Sequence, residues 1–395
     1  MNLSTRITTL LGDGGSDGWE VFLKARGMIK AGTPVVELTV GEHDILTAAP
    51  ILQQMHQEAM NGHTGYALVP GIDELRETVA ARVQARTGVV TTVDNVMITP
   101  GGQSALFAAH NAALDPGDTA LFLDPYYATY PGTLRSVSAI PHPVATRAED
   151  AFQPRAADLE AAAKETGARS LLINSPNNPT GTVYGTETMQ GIADVCINND
   201  MWLISDEVYD TQVWEGDHIS PRALDGMAER TLVVGSMSKS HAMTGSRCGW
   251  IVGPEDAIEA MINLATNTTY GVPGYIQRAA KFALEQGEAF EAEIAEPFRR
   301  RRGIASEIIA RQNTVGLIPA QGAMYLMLDV RATSLSGLEF AYALLDAHKI
   351  AVMPGESFGT AAAGHIRVAM TIDDARFADA LGTLCAFAEG LVSEK

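Results

Sequence analysis

Cysteine is scarce in this chain of 395 residues: Cys196, Cys248 and Cys385 are too few and too scattered for a disulfide framework or a thiolate metal site. Cys196 falls in an apolar helical stretch and Cys248 beside an apolar strand, so both read as inert core. Positive charge is also short. The 28 lysines and arginines face 47 acidic residues, a formal net charge of −19, and a surface of that sign argues against nucleic acid as a partner. It leaves the charge of a small ligand open, because the field in a cleft can oppose the global one. No uninterrupted apolar run is long enough to cross a bilayer, and residues 1–11 lack the long apolar core of a secretory leader. No membrane partner is expected, and a reducing cytoplasm is the simplest location. Internal repeats, low-complexity tracts, a P-loop and a zinc-protease helix are missing too. The glycines of residues 12–18 resemble a phosphate loop, but they follow no strand. Asp17 also stands where a dinucleotide fingerprint needs its last glycine, so the segment reads as a flexible lead-in.

What is present suffices for a large core and two domains, with 46% hydrophobic residues. Between about residues 95 and 250, short apolar runs alternate with helical stretches. Runs at 95–99, 119–123, 170–174, 202–205 and 232–235 each lead into a polar loop. This order predicts an α/β fold with a mainly parallel sheet between helices, whose ligands bind beyond the carboxyl ends of the strands. After about residue 290 the texture changes to a charged helix, 293–312, then shorter strands at 323–328, 350–353 and 365–369. That pattern predicts a smaller α+β domain. The run Arg299 to Arg302 reads as a solvated helix face. The divisions expected are 1–47, an N-terminal arm and part of the small domain; 48–290, the large domain; and 291–395, the C-terminal small domain.

The loops at the carboxyl edge carry the reactive side chains. Lys239 follows the apolar run 231–235, flanked by Ser236 and Ser238. An amine held where a strand leaves a core loses hydration, which favours its neutral, nucleophilic form. An isolated lysine there is more often a solvated turn residue. Arg247 lies eight residues on, near enough in a compact loop to supply a fixed positive charge. Gly101-Gly102-Gln103, at a strand-to-helix junction, either offers free N–H groups to an anion or simply starts a helix. Asp206 ends a buried run, where its plain role is an N-cap, and Tyr209 falls on the same side of the next turn, where tyrosine usually packs. In Asn178-Pro-Thr-Gly181, preceded by Ser175-Pro176, two prolines stiffen a polar turn, and both X–Pro bonds are candidates for the cis form. Arg367 alternates with Ile366 and Val368, so it faces the other side of its strand.

Taken together and in order, Val40-Gly-Glu42, Tyr66 to Gly71, Gly101-Gly102, Asn178 to Gly181, Asp206 to Tyr209, Ser236 to Lys239, Arg247 and Arg367 resemble the class I/II pyridoxal-phosphate aminotransferases of fold type I. The resemblance covers most of the chain. It implies pyridoxal 5'-phosphate as cofactor, residues 48–290 as its binding domain, and a homodimer with shared sites. It implies that Lys239 carries the cofactor covalently and then moves a proton, and that Asp206 pairs with the pyridine nitrogen. Asn178 and Tyr209 would bond the phenolic oxygen, and Tyr127 would stack on the ring. Gly101, Gly102, Gln103, Ser236, Ser238 and Arg247 would form the phosphate cup, with Tyr66 reaching the neighbouring subunit's phosphate. Arg367 would clamp the substrate carboxylate, with Asn178 and the Gly41 loop closing over it. Glu42-His43-Asp44-Ile45 stands where many relatives carry Glu-Pro-Asp-Phe; His43 is expected to pack the loop. Gln103 stands where aspartate-using relatives place a cation, so a neutral amino donor, aliphatic or aromatic, is expected, with pyruvate or 2-oxoglutarate as acceptor. The segment from Tyr270 to Tyr275 is assigned to the substrate pocket or the dimer seam. The alternatives are a carbon–sulfur β-lyase using the same lysine and a non-catalytic, ligand-binding member of the fold.

Overall fold

The structure is a computed structural model that describes residues 1–12 and 18–393. Most of the expected lead-in, residues 13–17, lies outside the described residues. A short strand β1 (Val36–Glu37) precedes a seven-stranded sheet made of β2 (Val96–Thr99), β3 (Thr119–Asp124), β4 (Ile140–Ala145), β5 (Ser170–Asn174), β6 (Trp202–Asp206), β7 (Thr231–Ser236) and β8 (Gly249–Val252). Its order is β2-β8-β7-β6-β5-β3-β4. The pairs from β7 through β4 are parallel, and β8 runs antiparallel to both β2 and β7.

Alternation along each strand feeds two cores. Phe122, Leu172, Ile204, Leu232 and Val234 join one cluster. Leu121, Leu123, Leu171, Ile173 and Leu203 face another, and Val233 a third. Strands buried on both faces read as unbroken apolar runs, which is why five of them stood out in the sequence. A truncation such as Leu171→Ala removes a fully buried side chain and costs about 2–5 kcal/mol. The apolar strand expected beside Cys248 is β8. β4 was not expected: it is an edge strand with Pro141 and Pro143 in it, as proline requires.

A second, four-stranded sheet contains β9 (Gly316–Leu317), β10 (Tyr325–Asp329), β12 (Met353–Pro354) and β13 (His365–Ala369), in the order β12-β13-β10-β9. Leu326, Leu328, Ile366 and Val368 pack with Phe298, Phe340 and Phe377 in a separate core. The expected strand 350–353 is divided: β11 (Ile350–Ala351) pairs parallel with β1, whereas β12 joins the four-stranded sheet, because the chain changes partners at Val352. The long helix is Gly287–Ile309, so the expected boundary at 290/291 falls inside it.

The arginine run is not one solvated face. Arg301 is buried and binds both oxygens of Asp44 (3.0 and 2.6 Å), one oxygen of Asp374 (2.9 Å) and the Met370 carbonyl (2.9 Å). Helical spacing explains the correction: positions 298, 301 and 305 share the inward face. Arg299 and Arg300 do stay exposed. Among the described residues no helix is long and apolar enough to cross a membrane.

Candidate active site

A cavity of about 210 Å³ opens at the carboxyl edge of the large sheet, against the strand that carries Arg367. Every expected site residue lines it except Gly101 and Tyr66. Gly101 is set back and plays a backbone part. It has φ +79°, and a Cβ there would run into the Arg247 guanidinium, so glycine is needed for the loop to pass. Tyr66 is 92% exposed and packs edge-on against Tyr270, with ring centroids 5.3 Å apart. It stands away from the pocket of its own chain.

Asp206 closes the deep end, at the last position of β6. Tyr130 donates to its Oδ2 (2.7 Å), and the Val208 N–H lies 3.4 Å from Oδ1. Burial pushes the carboxyl up to about 6, more than these donors pull it down, and the neighbouring Glu207 adds to the rise. Tyr209, one turn on, shares a hydrogen bond with the Tyr325 hydroxyl (3.0 Å), and burial drives the phenol well above its ordinary range. Tyr127 sits edge-on to Tyr130 at 5.7 Å. The Ser175–Pro176 and Asn178–Pro179 bonds are both cis, and Asn174 holds the turn by accepting from the Asn178 N–H (2.7 Å).

Arg367 is fully buried, its guanidinium sandwiched between the rings of Tyr325 and Phe358 at 4.4 Å each. It donates to Asn178 Oδ1 (2.8 Å) and to the Thr39 carbonyl, while its Nε has no partner among the described residues. Burial pulls its pKa down. A stacked, rigid fork with one bare N–H suits a carboxylate brought in from outside. The Lys239 Nζ donates to the Gly41 carbonyl, and Gln212 Nε2 lies 3.3 Å from the Lys239 carbonyl. Beyond it, Ser236 and Ser238 bond each other (2.9 Å). Arg247, in a left-handed conformation, donates to the Thr244 carbonyl (2.9 Å). Gly102 begins the helix Gly102–Ala113, so its free N–H groups and these hydroxyls face one end of the cavity, an arrangement suited to a phosphate. Gln103 is engaged otherwise: its amide bonds Thr133 (2.6 Å) and Thr129 (3.2 Å).

Several pocket residues escaped the sequence reading, among them Trp19, Tyr130, Asn174 and Tyr325. Tyr325 had a usable signal, since it lies on a short strand within the smaller domain. Trp19 and Tyr130 had none, because nothing local distinguishes them from core aromatics.

A pocket with a lysine, a buried carboxylate and an anion-binding helix start, at the edge of a parallel sheet, defines a fold type I cofactor enzyme. The model of the family "Aminotransferase class I and II" matches residues 33–384, and the chain belongs to that family. The arginine–pyruvate transaminase of Pseudomonas aeruginosa is 38% identical over 372 residues, covering 94% of each chain. The aspartate/prephenate aminotransferase of Thermus thermophilus is 34% identical, covering 91% of this chain and 93% of that one. Among solved structures, a double mutant of Thermus thermophilus aspartate aminotransferase superposes with a TM-score of 0.91 at 33% identity, covering 98% of this chain and 99% of that one. The protein is a pyridoxal-phosphate-dependent aminotransferase.

The residues fit that cofactor. Asp206 is a buried carboxylate with no cation bonded to it among the described residues, and a protonated ring nitrogen would supply the missing charge. When bound, the cofactor acts as an electron sink for the bond that breaks at the substrate Cα.

Proposed function

We propose that this aminotransferase takes its amino group from an L-amino acid with a neutral side chain, aliphatic or aromatic, and passes it to a 2-oxo acid in a ping-pong exchange. Gln103 carries this reading. The cations lining the pocket, among the described residues, are Lys239, Arg247 and Arg367, and each has a task of its own. The uncharged Gln103 amide is tied to Thr129 and Thr133, so a distal carboxylate would be buried without a partner, which is expensive. Trp19 and Gln103 also line a neighbouring groove of about 830 Å³. Pyruvate is the favoured acceptor, as in the name of the Pseudomonas relative.

In this reading Lys239 holds the cofactor and shuttles the proton at the substrate Cα. Asp206 pairs with the ring nitrogen, Asn178 and Tyr209 face the phenolic oxygen, and Tyr127 stacks on the ring. Gly101, Gly102, Gln103, Ser236, Ser238 and Arg247 surround the phosphate, and Arg367, with Asn178 and Gly41, takes the substrate carboxylate. A homodimer completes the site through Tyr66; the exposed Leu46, Met60, Leu68 and Tyr270 are apolar surface of the kind a partner covers. The enzyme works in the cytoplasm, in keeping with three free, buried cysteines.

The test is an absorbance titration of the purified, cofactor-loaded protein with single amino acids and no acceptor. Neutral donors should discharge the yellow band fastest, with aspartate slow and arginine included for comparison. Aspartate as the fastest donor would overturn the donor class. A band that persists while pyruvate and ammonia accumulate from cystathionine would favour the β-lyase instead.

A further inference from the structure

One carboxylate outside the pocket joins the large sheet to the loop that leads into the strand of Arg367. Asp124, the last residue of β3, is buried and does not line the cavity. Its Oδ2 accepts from the Thr360 N–H (3.0 Å) and the Thr360 hydroxyl (3.1 Å), and the Ala361 N–H reaches both oxygens at 3.2 Å. These donors open the second of two 3₁₀ turns, Gly355–Phe358 and Thr360–Ala362, which connect β12 to β13. The backbone adds a further link, since the Tyr126 N–H donates to the Phe358 carbonyl (2.8 Å). Gly359 lies between the two contacts with φ +116°. A Cβ there would run into Asp124 Oδ1, so glycine is needed for so close an approach.

The residue fixed by these contacts is Phe358, fully buried, whose ring covers one face of the Arg367 guanidinium at 4.4 Å. Burial drives the Asp124 carboxyl up against the pull of the Thr360 and Ala361 donors, and no cation is bonded to it among the described residues. A buried carboxyl without a counter-ion is expensive, and an apolar residue would end the strand without that cost. The strand end itself does not need the side chain. Thr146 holds the Asp124 carbonyl through its N–H and its hydroxyl, each at 2.8 Å. We infer that Asp124 is a positioning residue for the carboxylate clamp: by holding the Thr360 turn it fixes Phe358, and through that ring it fixes the plane of the Arg367 guanidinium relative to the large sheet. It touches neither substrate nor cofactor, and no bond is made or broken in this role. The inference rests on Arg367 taking the donor carboxylate, and its test separates the two.

The experiment compares Asp124→Ala and Asp124→Asn, which keeps an acceptor for the turn, on the wild-type and Arg367→Lys backgrounds. The probe is the fastest donor of the absorbance titration, at saturating pyruvate, and cofactor affinity is read separately by titrating the cofactor-free chain with pyridoxal phosphate. Loss of hydrogen bonds to a charged group is worth about ten-fold. Asp124→Ala should therefore raise the donor KM about ten-fold, with kcat within about three-fold and the cofactor Kd within about two-fold of wild type. Asp124→Asn should recover most of the KM. Once Arg367→Lys has removed the stacked fork, Asp124→Ala should change KM by less than about two-fold, since residues that act through one contact are not additive. A wild-type KM in Asp124→Ala, the same factor on both backgrounds, Asn no better than Ala, or a cofactor Kd that rises as much as KM each overturns the proposal. Should Asp124→Ala fail to fold, Thr360→Val removes one donor from the other side of the contact. A KM raised about three-fold on the wild-type background alone supports the role; an unchanged KM, or an equal rise on both backgrounds, overturns it. A donor KM in Arg367→Lys equal to wild type would sink the underlying reading and this inference with it, whereas a raised one with additive Asp124 effects sinks this inference alone.

Discussion

Lys239, on the short helix after β7, and Arg367, on β13, both donate to one three-residue stretch: Arg367 to the Thr39 carbonyl and Lys239 to the Gly41 carbonyl. The same stretch is tied to the C-terminal part of the chain through Thr371 and Val40 (3.3 Å). The two residues proposed as proton carrier and carboxylate clamp thus share a support, and a shift of one is transmitted to the other through two peptide units.

Arg367→Lys should therefore not behave as a conservative change. A lysine keeps the charge but loses the stacked fork and the bond to Asn178. We expect kcat/KM for the donor to fall by about 10²-fold, with KM raised and kcat lowered through misplacement. Steady-state kinetics at saturating acceptor measure both. A donor KM equal to wild type would place the carboxylate clamp elsewhere.

Lys239→Ala should abolish turnover, since loss of a general acid–base alone is worth about 10²–10⁴-fold. Cofactor should still bind through the Asp206 and phosphate ends, but without a covalent link. Borohydride reduction followed by mass spectrometry reads this directly: wild type should retain the label on Lys239 and the variant should carry none. A near-normal rate in the variant would remove Lys239 from the mechanism.

The chemistry was legible in the sequence because it sits at strand ends. Asp206, Ser236 and Lys239 each follow a buried apolar run, and Arg367 interrupts one. What stayed hidden depends on contacts between distant segments. Tyr130 bonds Asp206 across 76 positions, and Arg301 reaches Asp44 across 257; no local pattern marks either partner. The prolines of β4 concealed a strand for a physical reason, since only an edge position tolerates them. The split at Val352 was equally silent, because a buried run looks the same whichever sheet it joins.

Behind the pocket, the segment from Asp206 to Asp210 shows a second side. Asp206 and Tyr209 face the cavity, whereas Asp210 and the buried Glu291 bind Arg82 and Arg86. Removing Glu291 leaves Asp210 alone to pair both guanidiniums, so Glu291→Ala should destabilise the protein by about 1.5–3 kcal/mol, the worth of hydrogen bonds to a charged group. Denaturant unfolding of the cofactor-free chain measures it. A loss below about 1 kcal/mol would show that the network is no stronger than a surface pair.

Asp206 predicts a pH dependence with a definite sign. Its carboxyl is raised from 3.8 to about 6 by burial, so between those values the folded cofactor-free chain holds a proton that the unfolded chain releases. Stability contributed by the protonated group is present below about pH 4 and is lost as pH rises through about 6, a change on the order of 3 kcal/mol. Asp206→Asn removes the ionisation while keeping an acceptor for Tyr130. The thermal midpoint of cofactor-free Asp206→Asn should therefore draw ahead of wild type between pH 4 and pH 6 and keep its lead above that. Loading the cofactor should reverse the order at pH 7, because the ring nitrogen then gives the wild-type carboxylate its counter-charge while the amide gains nothing, and the variant should lose activity while retaining some cofactor. Midpoints that run parallel from pH 4 to pH 8 would mean that Asp206 is ionised throughout, and the account of it as a carboxylate awaiting a cation would fail.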